Sequence, residues 1–175
     1  TISTIDTLFF FFSLFFMAAS LILLIGAASR DKGPMFRWVN NNALILVFLV
    51  SLAGMLGSLA YEHLVGFPPC MLCWYQRIVM YPIVIITAVA LIRKKAEEVL
   101  SYALALSILG ALIGAWHNIE KLIGKELVSC DASGPSCLQT FVDGFGFIDI
   151  PVMSLTFFVL IILIIVTKKR FTANP

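Results

Sequence analysis

Charge is what this chain has least of. Asp, Glu, Lys and Arg make up 13% of its 175 residues, where a water-soluble domain carries about a quarter. With 61% hydrophobic residues and a mean hydropathy of +1.01, it holds more apolar surface than one water-facing core can hide. Lipid therefore has to be its solvent. A formal net charge of +2 is too small to suggest a nucleic-acid partner. No Lys or Arg precedes Arg30, so the basic start of a cleaved signal peptide is missing. Haem, flavin and iron–sulfur motifs are absent, and no internal repeat stands out. Cysteine is scarce but not scattered. The four fall in two close pairs, Cys70 with Cys73 and Cys130 with Cys137, an arrangement that is either a disulfide system or a metal site.

Long apolar runs are what the chain has instead. They cover 5–28, 43–65, 74–92, 99–117 and 150–166, near the roughly 20 residues a membrane helix needs. The fold class read from them is an all-α integral membrane protein: a four-helix transmembrane bundle over 43–175, plus one extra N-terminal transmembrane helix and its basic link over 1–42. The first run is too long for a cleaved leader and reads as an anchor that stays. Its Phe9–Phe16 cluster faces lipid or other helices. Gly54, Gly57, Ser51 and Ser58 in the second run are small enough to let helices approach closely.

Basic residues set the orientation. Arg30, Lys32, Arg37, then 93–95, then 168–170 fall on alternate connections. Cytoplasmic loops are enriched in Lys and Arg, so the N-terminus reads as outside and the C-terminus as cytoplasmic. Both cysteine pairs are then extracytoplasmic, where disulfides persist. In the outer loop 118–149, Ile119, Leu122, Ile123 and Leu127 recur at helical spacing, which suggests a short helix lying flat on the membrane. Gly134-Pro135 favours a turn between Cys130 and Cys137. Phe141, Phe145 and Phe147 suggest contact with headgroups.

The chemistry gathers at Pro68-Pro69-Cys70-Met71-Leu72-Cys73-Trp74-Tyr75-Gln76-Arg77. Proline is favoured in a helix's first turn and disfavoured in its interior, so a helix should start close to Cys70. Spacings of three and four then put Cys70, Cys73 and Arg77 on one face. A helix N-terminus and a nearby guanidinium both favour thiolate over thiol.

Pro-Cys-x-x-Cys-x-x-x-Arg at the outer start of a membrane helix, followed after the next span by a second cysteine pair, resembles the DsbB/BdbC family of thiol:quinone oxidoreductases. The likeness covers about residues 43–167, and the short Cys130–Cys137 loop with the 145–151 run looks most like the BdbC branch. What the resemblance implies is a disulfide-generating, electron-transporting enzyme of the bacterial cytoplasmic (inner) membrane. It would reoxidise a DsbA-like thioredoxin-fold thiol oxidase on the outer face and pass electrons to ubiquinone or menaquinone. By position, Cys73 would be the thiolate that meets the quinone, Cys70 its partner and Arg77 the cation beside the quinone. Cys130 would be the sulfur that the oxidase attacks. The first span is additional to the family's four.

Each candidate has a plainer alternative. Arg77 can snorkel to headgroups, Cys130–Cys137 can be a structural staple, and the four thiolates can hold zinc. His117 is either a quinone contact or bonded to a carbonyl. Trp74 either walls a quinone pocket or belongs to the interfacial aromatic belt, and Glu62 reads as a solvated interfacial residue. A vitamin-K-epoxide-reductase-like enzyme is the competing activity, although there the Cys-x-x-Cys follows the loop pair and here it precedes it. A non-enzymatic metal-binding membrane protein is the alternative outside enzymes.

Overall fold

The structure, a computed structural model, describes residues 2–29, 33–66, 68–126, 136–138 and 149–173. Arg30, Lys32, Leu127, Cys130, Gly134-Pro135 and Phe141–Phe147, all singled out above, lie outside the described residues. The described elements are helices: α1 (Ile2–Ser29), α2 (Pro34–Asn41), α3 (Ala43–Ala60), a π-helical turn (Tyr61–Val65), α4 (Met71–Arg93), α5 (Ala96–Ile123) and α6 (Ile150–Ala173). In lipid every backbone N–H and C=O needs an internal partner, and a helix provides one within its own segment.

Four segments are long and apolar enough to cross a membrane: Ala43–Val65, Met71–Arg93, Glu97–Ile123 and Ile150–Phe171. α1 adds a shorter apolar stretch, Phe10–Gly26. The molecule is thus a multi-pass membrane bundle. α3, α4, α5 and α6 pack in sequence, α6 closes on α3, and α1 and α2 lean on α6. Large apolar side chains such as Ile78, Ile85 and Ile92 stay exposed around the outside, as lipid contact requires and water would not allow.

The helix ends follow from local chemistry. Lys94 (φ 56°) stops α4 and Gly124 (φ 68°) stops α5, both in the left-handed region. Glu97 and Glu98 occupy the first turn of α5, where the helix dipole favours negative charge. Lys168 near the end of α6 reaches Glu97 at 3.4 Å. Asp149 caps α6, its Oδ1 accepting from Val152 N at 3.1 Å, and also pairs with Lys121 at the end of α5.

Two features depart from the sequence reading. The link after α1 contains a helix of its own: α2 has Pro34 in its first turn and buries Phe36 and Val39, with the Phe36 ring filling the space beside Gly26 of α1. The stretch beginning at Ile119, expected to lie flat, instead continues α5 without a break to Ile123. Its polar members account for this: Glu120 is fully buried, and its Oε1 accepts from Trp116 Nε1 at 2.9 Å. One face of that turn therefore packs into the bundle, while Ile119, Leu122 and Ile123 stay exposed.

Close approach of α5 to α6 depends on Gly110, where an added Cβ would overlap the ring of the fully buried Phe158. Overpacking of this kind costs about 1–3 kcal/mol. Gly110→Ala should therefore lower the thermal midpoint in detergent, followed by tryptophan fluorescence. Gly114→Ala should lower it much less, because a Cβ there would meet Leu155 at 3.4 Å, an ordinary contact.

Candidate functional site

Cys70 sits at the N-cap of α4 in extended conformation (φ −71°, ψ 170°). Its Sγ accepts from Cys73 N at 3.3 Å and lies 2.7 Å from Cys73 Sγ. Both thiols are free. The helix start predicted from Pro68-Pro69 is therefore within one residue of the observed start, and the two sulfurs share the face that the spacing required. Cys137 is disulfide-bonded, and Cys130 lies outside the described residues.

Cys137 lies against the first pair. Cys70, Leu72 and Cys137 form one buried cluster, with Cys73 and Ile113 packed on it. His117, also buried, joins them from α5. Its Nε2 donates to Cys137 O at 3.1 Å and stands 4.0 Å from Cys70 Sγ. Cys137 N donates in turn to Glu126 Oε1 at 3.2 Å. The Cys70 thiol is held well below its ordinary value of 9.0. The Cys73 S–H bond is the largest cause, partial burial opposes it, and His117 adds to the lowering.

Arg77 is buried, one helical turn beyond Cys73. Each of its three guanidinium nitrogens is engaged: Nε donates to Ser58 Oγ at 2.7 Å, Nη2 to Ser58 O at 2.9 Å, and Nη1 pairs with Glu62. Ser58 is near the end of α3, and Glu62 is in the π-helical turn that follows it. Such turns inside helices often mark functional sites. Trp74 is largely exposed, its ring 5.3 Å from Arg77 Cζ, a cation–π distance.

Two cavities meet at this end of the bundle. The larger, about 90 Å³, lies between α1, α3, α4 and α6 and is lined by Gly54, Tyr61, Cys73, Gln76, Arg77 and Phe157 among others. The smaller, about 50 Å³, is lined by Cys70, Cys73, His117, Lys121, Cys137 and Asp149 among others. Cys73 and Arg77 border both. His117 borders only the smaller, and Trp74 is not among the described residues lining either. The sequence reading missed Ser58, Glu62 and Gln76. Glu62 had a usable signal: one α-helical span ends in an acid beside the start of another that carries a buried cation.

Comparison with known proteins agrees with this arrangement. The family model described as "Disulfide bond formation protein DsbB" matches residues 40–167. The chain is 40% identical over 138 residues to the SPbeta prophage-derived disulfide bond formation protein B of Bacillus subtilis (strain 168), which covers 76% of this chain and 92% of that one. It is 40% identical over 133 residues to disulfide bond formation protein C of the same organism, covering 74% and 96%. It is 37% identical over 134 residues to a probable disulfide formation protein of Metapseudomonas resinovorans, covering 75% and 92%. No solved structure gives a significant match.

Thiolate absorbance near 240 nm tests the electrostatics of the pair. In the reduced protein one thiolate should form with a midpoint well below 9.0. His117→Ala should move that midpoint up, since the imidazole lowers it, and Cys70→Ser should abolish it. A single transition near 9.0 in the wild type would contradict the geometry.

Proposed function

The chain belongs to the DsbB family of disulfide bond formation proteins, and from that premise we propose that it is a protein-dithiol:quinone oxidoreductase. In this reading it reoxidises a DsbA-like thioredoxin-fold thiol oxidase outside the bacterial cytoplasmic membrane. The observation that carries the reading is that Cys73 borders both cavities, the small one shared with Cys70 and Cys137 and the larger apolar one.

The electron path follows from these contacts. A reduced oxidase attacks the disulfide of the second pair at Cys130, and the thiolate released at Cys137 attacks an oxidised Cys70–Cys73 bond at Cys70, its neighbour in the buried cluster. Attack at Cys70 releases Cys73 as the thiolate, by ordinary exchange with no net redox change. The oxidase's second thiol then displaces Cys130 and the oxidase leaves oxidised; freed Cys130 attacks Cys137, which restores the Cys130–Cys137 disulfide, releases Cys70 and leaves Cys70 and Cys73 reduced. Closing their disulfide again gives up two electrons and two protons. A bound quinone supplies the acceptor for both, leaving as the quinol.

The larger cavity suits such a molecule. Its walls are mostly apolar, as a lipid-soluble ring requires. Gln76 Nε2 is buried with no hydrogen-bond partner among the described residues, a donor left for a carbonyl. Arg77 brings a fixed positive charge to the same cavity, where low dielectric makes it count for more than in water. Its bonds to Ser58 and Glu62 hold it in place, so no reorganisation is needed when negative charge develops beside it. His117 steadies the Cys70 thiolate and holds the Cys137 carbonyl close.

Orientation belongs to the same proposal: N-terminus outside, C-terminus cytoplasmic, and both pairs on the outer face. The family assignment sets aside the vitamin-K-epoxide-reductase-like alternative. A metal-binding reading keeps one observation in its favour, since ligand atoms of Cys70, Cys73 and His117 all lie within 4.8 Å of one another. Stoichiometric zinc in the purified protein, with thiols unreactive to quinone, would select it.

Purified protein mixed with a short-tailed quinone and a reduced DsbA-like protein should reduce the quinone, read from its ultraviolet absorbance. Cys73→Ser should bring the rate to background. Wild-type turnover in that variant, or no quinone reduction by the wild type, would refute the assignment.

A further inference from the structure

α1 lies outside the family match, which begins at residue 40. The aligned stretches take up 92% and 96% of the two Bacillus subtilis relatives, and what remains of either is too short for a helix of 28 residues. Yet α1 is not loosely attached. Phe16 and Leu23 are buried in the main core, and the Phe16 ring meets the Phe157 ring at 4.9 Å. Phe157 itself lines the larger cavity, and so do Phe12 and Ser13 of α1.

Ser13 is the anomaly on this helix. It is 4% exposed, and its hydroxyl has no partner among the described residues. Most other buried hydroxyls in the bundle donate to their own helix: Ser20 to Phe16 O at 2.8 Å, Ser51 to Phe48 O at 3.0 Å, Thr87 to Ile83 O at 2.6 Å and Ser107 to Ala103 O at 2.7 Å. That bond is open to nearly any helical serine, and Ser13 does not make it. A buried, unsatisfied hydroxyl is costly. Ser13 belongs to the wall of the larger cavity, as does Gln76 of α4, whose Nε2 is likewise buried without a partner among the described residues.

We propose that α1 is a working wall of the electron-acceptor cavity and that Ser13 is a positioning residue, its hydroxyl donating to a carbonyl of a bound quinone-class molecule. The proposal rests on the quinone reading given above. A ring with two carbonyls can accept from donors on two helices, Gln76 on α4 and Ser13 on α1. The added helix then makes acceptor binding in this chain depend on a segment that those two relatives have no length to supply.

Binding and labelling test this without relying on turnover. A short-tailed azidobenzoquinone, photolysed with the intact protein in detergent, should label the peptide that contains Phe12 and Ser13, mapped by mass spectrometry. Affinity for short-tailed ubiquinone, read from tryptophan quenching, should fall about 3- to 10-fold in Ser13→Ala, the range of one hydrogen bond. Ser13→Thr should bind as the wild type does, and so should Ser20→Ala, a change on the same helix away from the cavity. Ser13→Phe should fill the space and abolish binding while Cys70–Cys73 still exchanges with dithiothreitol. In turnover, Ser13→Ala should raise the quinone KM with little change in kcat. If the wild type binds quinone but the Ser13 variants bind equally well and the label misses α1, this inference fails and the oxidoreductase reading stands. If the wild type neither binds nor reduces quinone, the oxidoreductase reading fails first.

Discussion

A buried arginine in an apolar bundle is the constraint on which the rest of this site depends. A guanidinium inside a membrane protein is expensive unless its charge is paired and its donors are used. Arg77 meets both conditions at once, against Glu62 and two oxygens of Ser58. Satisfying it has structural consequences. The end of α3 is drawn against the start of α4, and the π-helical turn places an acid where a regular helix would have turned it elsewhere. Because Arg77 lies one turn past Cys73, the same clamp fixes the wall that both cavities share.

The two sulfurs of the first pair consequently face different surroundings although they are three residues apart. Cys70 caps the helix, beside His117 and Cys137, where N–H donors and an imidazole favour the thiolate. Cys73 is inside the first turn and opens toward the apolar cavity with Arg77 behind it. The proposed relay, exchange with another sulfur on one side and electron delivery to a lipid-soluble acceptor on the other, would use this asymmetry. Helix geometry provides it: the cap position and the first-turn position share a face but stand at different depths.

Much of this was readable before the coordinates. Apolar runs of bilayer length mark α3 to α6 because a helix of that length satisfies its own backbone in lipid. Pro68-Pro69 announces the start of α4 because proline is favoured at a helix's first turn and costly deeper in, although α4 also carries Pro82 in its interior. The second tier was hidden for physical reasons. Glu62 looked solvated because its partner is fifteen residues away on another helix, and linear spacing carries no trace of that contact. α2 was passed over as polar link, although Pro34 followed by Phe36 and Val39 is the pattern of a short helix with one buried edge. The turn at 119–123 has an amphipathic pattern that suits a membrane surface as well as a bundle interior. Only the burial of Glu120 separates the two. Neither cavity could be read at all, since each is enclosed by residues from several elements.

Where the bundle leaves polar atoms unsatisfied is informative in itself. Such atoms cost stability, and folded proteins hold few of them. Among the described residues, Ser13 Oγ and Gln76 Nε2 belong to side chains bordering the larger cavity, and His117 Nδ1 to one bordering the smaller. Asn40 and Thr167 belong to the other end of the bundle. Apart from Ser13 and Thr167, the buried serine and threonine hydroxyls among the described residues close onto their own helices. A bundle that satisfies its serines and threonines so routinely had the same solution available at Ser13, and an apolar residue was available at position 76. Local rules broken together around one space point to a visiting molecule that completes them. The middle of the bundle contrasts with that space, since there Phe158, Ile161 and Ile165 pack to complete exclusion.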